Sequence, residues 1–224
     1  MPDRQELTRF AVRILAIFLV LAVATAIAGI LVRAWSPGFD LAAMQAVADH
    51  RTSLSLTIAG LVSDAGSFAI LAPLTIALVL LRRWQRPADD LALIVVAAGS
   101  AALPSVVKLI VARPRPTIDL TQITHLTTLS FPSEHTTQAA AIYLAIASLL
   151  TQGRSSLLRR AALAAAILIA IAVALSRVFL GVHYPTDVTA GLLLGWLWAI
   201  GIFRYARSEL KGPGKPEIVQ AAPK

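Results

Sequence analysis

FAVRILAIFLVLAVATAIAGILV, residues 10–32, decides the fold. Its one charge, Arg13, stands near the start, and the run exceeds the roughly 20 helical residues that cross a hydrocarbon core of about 30 Å. It is too long for the apolar core of a secretory signal, and no small-residue cleavage pattern leads from it into a soluble domain. A retained membrane anchor is expected.

Further apolar stretches follow at Leu54–Leu81 and Leu91–Val111, then three that are shorter or carry polar residues: Thr136–Leu150, Ala161–Leu180 and Val188–Tyr205. With 57% hydrophobic residues, 14% charged residues and a mean hydropathy of +0.75, they predict an all-α integral membrane protein, a six-transmembrane-helix bundle. Leu54–Leu81 is longer than a perpendicular helix needs and contains Asp64 and Gly66, so it is expected to tilt or to begin as an interfacial helix. Asp64 reads as a buried hydrogen-bonding residue. No internal repeat or long polar linker divides the chain, which predicts one membrane-embedded domain over residues 1–210. The Gly- and Pro-containing residues 211–224 read as a disordered cytoplasmic tail.

The formal charge of +8 would suggest nucleic acid as a partner of a soluble chain, but the apolar spans exclude a soluble nucleic-acid binder. Its distribution has another use. Fourteen of the 20 basic residues fall on one side of a six-helix layout: Arg4, Arg9 and Arg13; Arg82, Arg83 and Arg86; Arg154, Arg159 and Arg160; and the five from Arg204 to Lys224. The positive-inside rule then places both termini in the cytoplasm. The remaining six are Arg33, Arg51, Lys108, Arg113, Arg115 and Arg177, and four of these crowd around two short segments on the outer side. Cysteine is absent, which rules out disulfides and thiolate metal sites.

Under this topology three polar clusters meet at outer helix ends. The first is Lys108, Arg113 and Arg115, where the prolines of ARPRPTID, residues 112–119, end the helix and extend the chain. The second is FPSEH, residues 131–135; the third is Ser176, Arg177, His183 and Asp187. Arginine forks and a lysine beside two histidines and a serine hydroxyl suit a phosphate. Ser133 stands where it could cap the fourth helix, and Pro185 fits the first position of the sixth. That puts Asp187 in the first turn, within reach of a histidine ring nitrogen. His50 and His125 read as solvated loop residues, and the polar loop 117–130 as a lid or specificity element over the site.

Three spaced motifs emerge: Lys108, six residues, Arg115-Pro116; Pro132-Ser133-x-His135; and Ser176-Arg177, five residues, His183, three residues, Asp187. They resemble the signature motifs of the type 2 phosphatidic acid phosphatase superfamily. The resemblance implies that His183 is a nucleophile forming a phosphohistidine, that Asp187 holds its ring, and that His135 is general acid and then base. It further implies that Lys108, Arg115, Ser133, Arg177 and the backbone at Glu134 bind the phosphate, with no metal and no other cofactor. The partner implied is a membrane lipid, among them undecaprenyl diphosphate, phosphatidate or phosphatidylglycerophosphate, and the site would face the outer side of the cell membrane. A lipid phosphotransferase shares every motif, and a non-catalytic lipid-phosphate binder or transporter would tolerate loss of a histidine; here both histidines and Asp187 are present. One position departs from the family pattern: Glu134 stands where glycine is usual. Its backbone is expected to stay right-handed with the N–H facing the phosphate, and its carboxylate to point away, towards Arg113 or solvent.

Overall fold

The computed structural model describes residues 4–82, 87–116 and 129–209. Their regular structure is entirely helical: α1 (Arg4–Trp35), α2 (Pro37–Ala48), α3 (Ser53–Asp64), α4 (Phe68–Arg82), α5 (Pro87–Val111), α6 (Glu134–Leu150), α7 (Ser156–Phe179) and α8 (Pro185–Glu209). Among the described residues five candidate spans are long and apolar enough to cross a membrane, with α3 and α4 together forming one of them. Large apolar side chains face outward at full helix spacing, with Val20 67%, Leu81 77% and Leu109 79% exposed. A soluble monomer does not tolerate such surface; a bilayer requires it. The protein is a multi-pass membrane protein.

At the centre lies α6, packed between α5, α7 and α8. Its residues Ala139, Ala140, Ala141 and Ala145 are fully buried, so neighbouring backbones approach closely. The facing surface of α8 carries Gly191 and Gly195, one turn apart. A Cβ at Gly191 would stand 2.8 Å from the Ser133 carbonyl oxygen, and one at Gly195 would collide with that of Thr137. Deeper in the bundle the buried Trp198 of α8 lies over Gly99 of α5 and donates its indole N–H to the Val96 carbonyl at 3.1 Å. These contacts fix the register of α5, α6 and α8, which carry the motifs at one end of the bundle.

The expected second span is broken. Its helix stops at Asp64 and restarts at Phe68, and the Tyr143 hydroxyl donates to the Ala65 carbonyl across the gap at 2.8 Å. Gly66 explains the position of the break, because a Cβ there would lie 2.9 Å from the carbonyl oxygen of His135. Arg33, one of the cations expected on the outer side, donates to the Val111 carbonyl at 2.9 Å and so closes the C-terminus of α5. His50 is exposed, as expected of a loop residue. His125, the lid segment 117–128 and the tail from residue 211 lie outside the described residues.

Candidate active site

The first motif is placed by the end of α5. Ala112 takes a left-handed conformation, φ 48°, and its N–H still bonds to the Lys108 carbonyl at 2.9 Å, so the chain leaves the helix abruptly. The extended segment that follows is tied down by the Ser130 N–H, which donates to the Arg113 carbonyl at 2.8 Å. The segment before α6 is in turn tied to α8, because the Ser133 N–H donates to the Asp187 carbonyl at 3.1 Å. The third motif starts in the last turn of α7, at Ser176 and Arg177, turns at Gly181 with φ 77°, and enters α8 through Pro185. All three expected clusters therefore meet at one end of the bundle.

His183 is buried at the centre of this meeting point. Its Nδ1 lies 3.5 Å from Asp187 Oδ2, and its Nε2 lies 3.3 Å from Nη1 of Arg115, which also donates to the Val182 carbonyl at 2.9 Å. A guanidinium only donates, so Nε2 facing Arg115 carries the lone pair and Nδ1 the proton. Burial, reinforced by the nearby cations Arg115 and Arg177 against the opposing pull of Asp187, pushes the His183 pKa down to about 4. The ring is neutral near pH 7, as a nucleophile must be. Burial likewise lowers Arg115 from its ordinary value, opposed by Asp187 and Glu134.

Asp187 is fully buried and saturated with donors. Arg113 Nη1 reaches Oδ1 at 2.6 Å, while the Tyr184 N–H reaches Oδ2 at 2.9 Å and the Ser130 hydroxyl donates to the same oxygen. A carboxylate held from this many sides cannot rotate, so it can fix the ring beside it.

The α6 side contributes Ser133, Glu134 and His135. Ser133 occupies the N-cap position, but its side chain does not cap the helix: its Oγ accepts from the Thr136 hydroxyl at 3.0 Å. The helix-start N–H groups are left for an anion. His135, in the first turn, lies within electrostatic reach of Arg177, His183, Lys108 and Arg115. Arg177 donates to the Ser63 hydroxyl at 2.6 Å, and its buried Nε has no partner among the described residues. Glu134 differs from expectation. Its carboxylate turns not to Arg113 but to Lys108, 3.2 Å from Nζ, while staying partly exposed, and its other oxygen accepts from Gln138 at 3.2 Å. Arg113 is committed elsewhere, to Asp187 and Asp40.

Sequence reasoning missed Asp40, Ser63, Ser130 and Thr186. Asp40 left one legible trace, a single acid inside the apolar run FDLAAMQAVA, residues 39–48. Serines and threonines at helix ends have too many ordinary uses to be singled out. Among the described residues no group of three or more His, Asp or Glu side chains is arranged to hold a metal ion.

Comparison with known proteins places this arrangement. The model of the PAP2 superfamily matches residues 90–210. Phosphatidylglycerophosphatase B of Bacillus subtilis is 35% identical over 116 residues, 51% of this chain and 56% of the relative. A lipid A 1-phosphatase of Rhizobium etli is 39% identical over 82 residues, 36% of this chain and 32% of that protein. The chain thus spans about half or less of the curated relatives it matches. Among solved structures, the transmembrane PAP2-type phosphatidylglycerolphosphate phosphatase of Bacillus subtilis superposes with a TM-score of 0.70 and 26% identity, covering 88% of this chain and 96% of that one. LpxE of Aquifex aeolicus gives 0.58 and 26%, covering 76% and 98%.

Proposed function

Starting from the fact that this chain belongs to the PAP2 superfamily, we propose that it is a metal-independent phosphatase of lipid phosphates acting through a phosphohistidine. The observation that carries the reading is the orientation of His183, with Nδ1 towards Asp187 and Nε2 towards Arg115 at the focus of the outer cations. In the first step Nε2 attacks phosphorus, the bond from phosphorus to the lipid oxygen breaks, and His135 gives its proton to that oxygen. In the second, His135 takes a proton from water, whose oxygen displaces the imidazole and releases phosphate. Lys108, Arg115 and Arg177, with Ser133 and the N–H groups opening α6, stabilise the charge on the equatorial oxygens in both steps.

Within this proposal α6 is the sixth span: it is deeply buried in the bundle although shorter than the other five. Both termini lie in the cytoplasm, the site opens on the outer face of the cell membrane, and residues 1–210 act as one domain with a cytoplasmic tail. A site at helix ends lets a headgroup reach His183 while its chains stay in the bilayer. Phosphatidylglycerophosphate is the first substrate to test, since the Bacillus relative bears that name, with a lipid A 1-phosphate and an isoprenoid diphosphate beside it.

The test is phosphate release by purified protein in the presence of a chelator, with His183→Ala as control. Release that survives chelation and disappears in the control is expected. Release in the control would end the covalent reading, and loss on chelation would end the metal-independent one. Transfer of phosphate to an added acceptor lipid in place of water would make the protein a phosphotransferase.

A further inference from the structure

Asp40 belongs to none of the motifs and lies outside the segment matched by the family, yet its carboxylate is completely buried beside the site. Its Oδ2 accepts from Arg113 Nη2 at 2.6 Å, from the Thr186 hydroxyl at 2.6 Å and from the Ser36 hydroxyl at 3.2 Å. Its Oδ1 accepts from the Thr186 backbone N–H at 3.2 Å. Thr186 is the second residue of α8, so a side chain from α2 satisfies an open N–H of the helix that presents Asp187. The Thr186 hydroxyl also accepts from Arg113 Nη1 at 2.8 Å. Arg113 completes the link, because that same Nη1 holds Asp187 Oδ1 at 2.6 Å while the guanidinium lies 4.1 Å from the centre of the Tyr184 ring.

One guanidinium is thus shared by two buried carboxylates. The fork geometry of arginine makes this possible, and lysine could not reproduce it. The charge count matters as much as the shape. Asp40, Arg113 and Asp187 together carry one net negative charge, and it faces His183 on the side opposite the phosphate. Positive charge develops on that ring as Nε2 bonds to phosphorus, so a preorganised negative set behind it is stabilising. Removing Asp40 would leave a neutral pair and free Arg113 to swing.

We propose that Asp40 is a positioning residue for the reaction, acting from α2 through Arg113 and the first turn of α8 to hold Asp187 against His183. This rests on the phosphatase reading above. Asp40 touches neither substrate nor the reacting atoms; its effect passes through Asp187.

The experiment compares Asp40→Asn, Arg113→Lys, Asp187→Asn and the double variant Asp40→Asn with Asp187→Asn in purified full-length protein, using phosphatidylglycerophosphate as the substrate. Asp40→Asn and Arg113→Lys are each expected to lower kcat by about tenfold to a hundredfold, as small misplacements of catalytic groups do, with KM within about twofold of wild type. In the Asp187→Asn background, Asp40→Asn is expected to change the residual rate less than about twofold, because the residue it acts through is gone. An unchanged kcat in both single variants, or an equal loss in both backgrounds, would overturn the proposal.

A second readout does not need turnover. In 15N spectra of histidine-labelled protein, His183 should be the Nδ1–H tautomer in wild type and a mixture in Asp40→Asn. An unaltered tautomer would overturn the proposal by itself. Wild type that binds inorganic phosphate and shows the expected tautomer but releases no phosphate from any lipid would instead count against the phosphatase reading.

Discussion

Lys108 and Glu134 form an ion pair, 3.2 Å between Nζ and the carboxylate, at the proposed phosphate site. A cation offered to phosphate therefore already has an anion. The Glu134 side chain is 38% exposed, so the pair contributes no more than about 1 kcal/mol, which a doubly charged phosphate can displace. Glu134→Gln should free Lys108 and relieve repulsion of the ligand, tightening inhibition by inorganic phosphate and lowering KM, each by up to about tenfold. Inhibition constants for phosphate in wild type and variant decide it. Equal values would mean that Glu134 does not compete for the site.

His183→Ala should reduce turnover by at least about a thousandfold while leaving the protein folded, because it removes the proposed nucleophile. Rapid quenching of wild type with a labelled substrate should trap an acid-labile, base-stable phosphoenzyme that is missing from the variant. Trapped label at an unchanged level in the variant would place the covalent bond elsewhere.

The pH dependence follows from the His183 environment. Protonation removes the attacking lone pair, and burial with two nearby cations pushes its pKa down to about 4. The fraction in the active form is thus nearly constant from pH 8 to pH 5.5 and falls only towards pH 4. The acid limb that this residue imposes on kcat/KM in the free enzyme should lie near that value, well below the ordinary histidine range. A limb near 6.5, matched by His183 titrating at the same pH in 15N spectra, would show that the ring is solvated.

Gly195→Val tests the contact that brings the motifs together. The added side chain would collide with the Thr137 carbonyl, forcing α6 and α8 apart. A loss of about 1–3 kcal/mol in stability is expected, read as a lower Tm in detergent, together with lower activity. Gly201→Ala on the same helix meets only side-chain atoms of Ile17 at 3.5 Å or beyond and should be neutral in both measurements.

The parts of the fold legible in the sequence are those that follow from an apolar run meeting a bilayer, such as residues 10–32, and from prolines at fixed places, as in ARPRP and at Pro185. The convergence of Lys108, Arg115, Arg177, His135, His183 and Asp187 was legible too, because unexplained charge at helix ends needs a ligand or a partner. Pairing was not. Glu134 has three cations within electrostatic reach in the folded chain, and nothing in its spacing says that it turns to Lys108 rather than to Arg113. The break after Asp64 was hidden for a related reason. It answers to the backbone of His135, about 70 residues further along the chain, and the polar stretch SDAGS, residues 63–67, marks the place without showing what it meets.

Asp40 has a consequence for comparing relatives. Every group proposed to meet the substrate falls between Lys108 and Asp187, inside the matched segment, whereas the carboxylate behind them sits well upstream on α2, next to Phe39, which is 66% exposed. Reactive chemistry can therefore be inherited intact while the strut that stiffens it drifts. Two descendants with identical motifs can differ in turnover through a stretch that motif-based alignment discards as anchor, and sequence changes there are where divergence in speed, as distinct from divergence in reaction, should be sought.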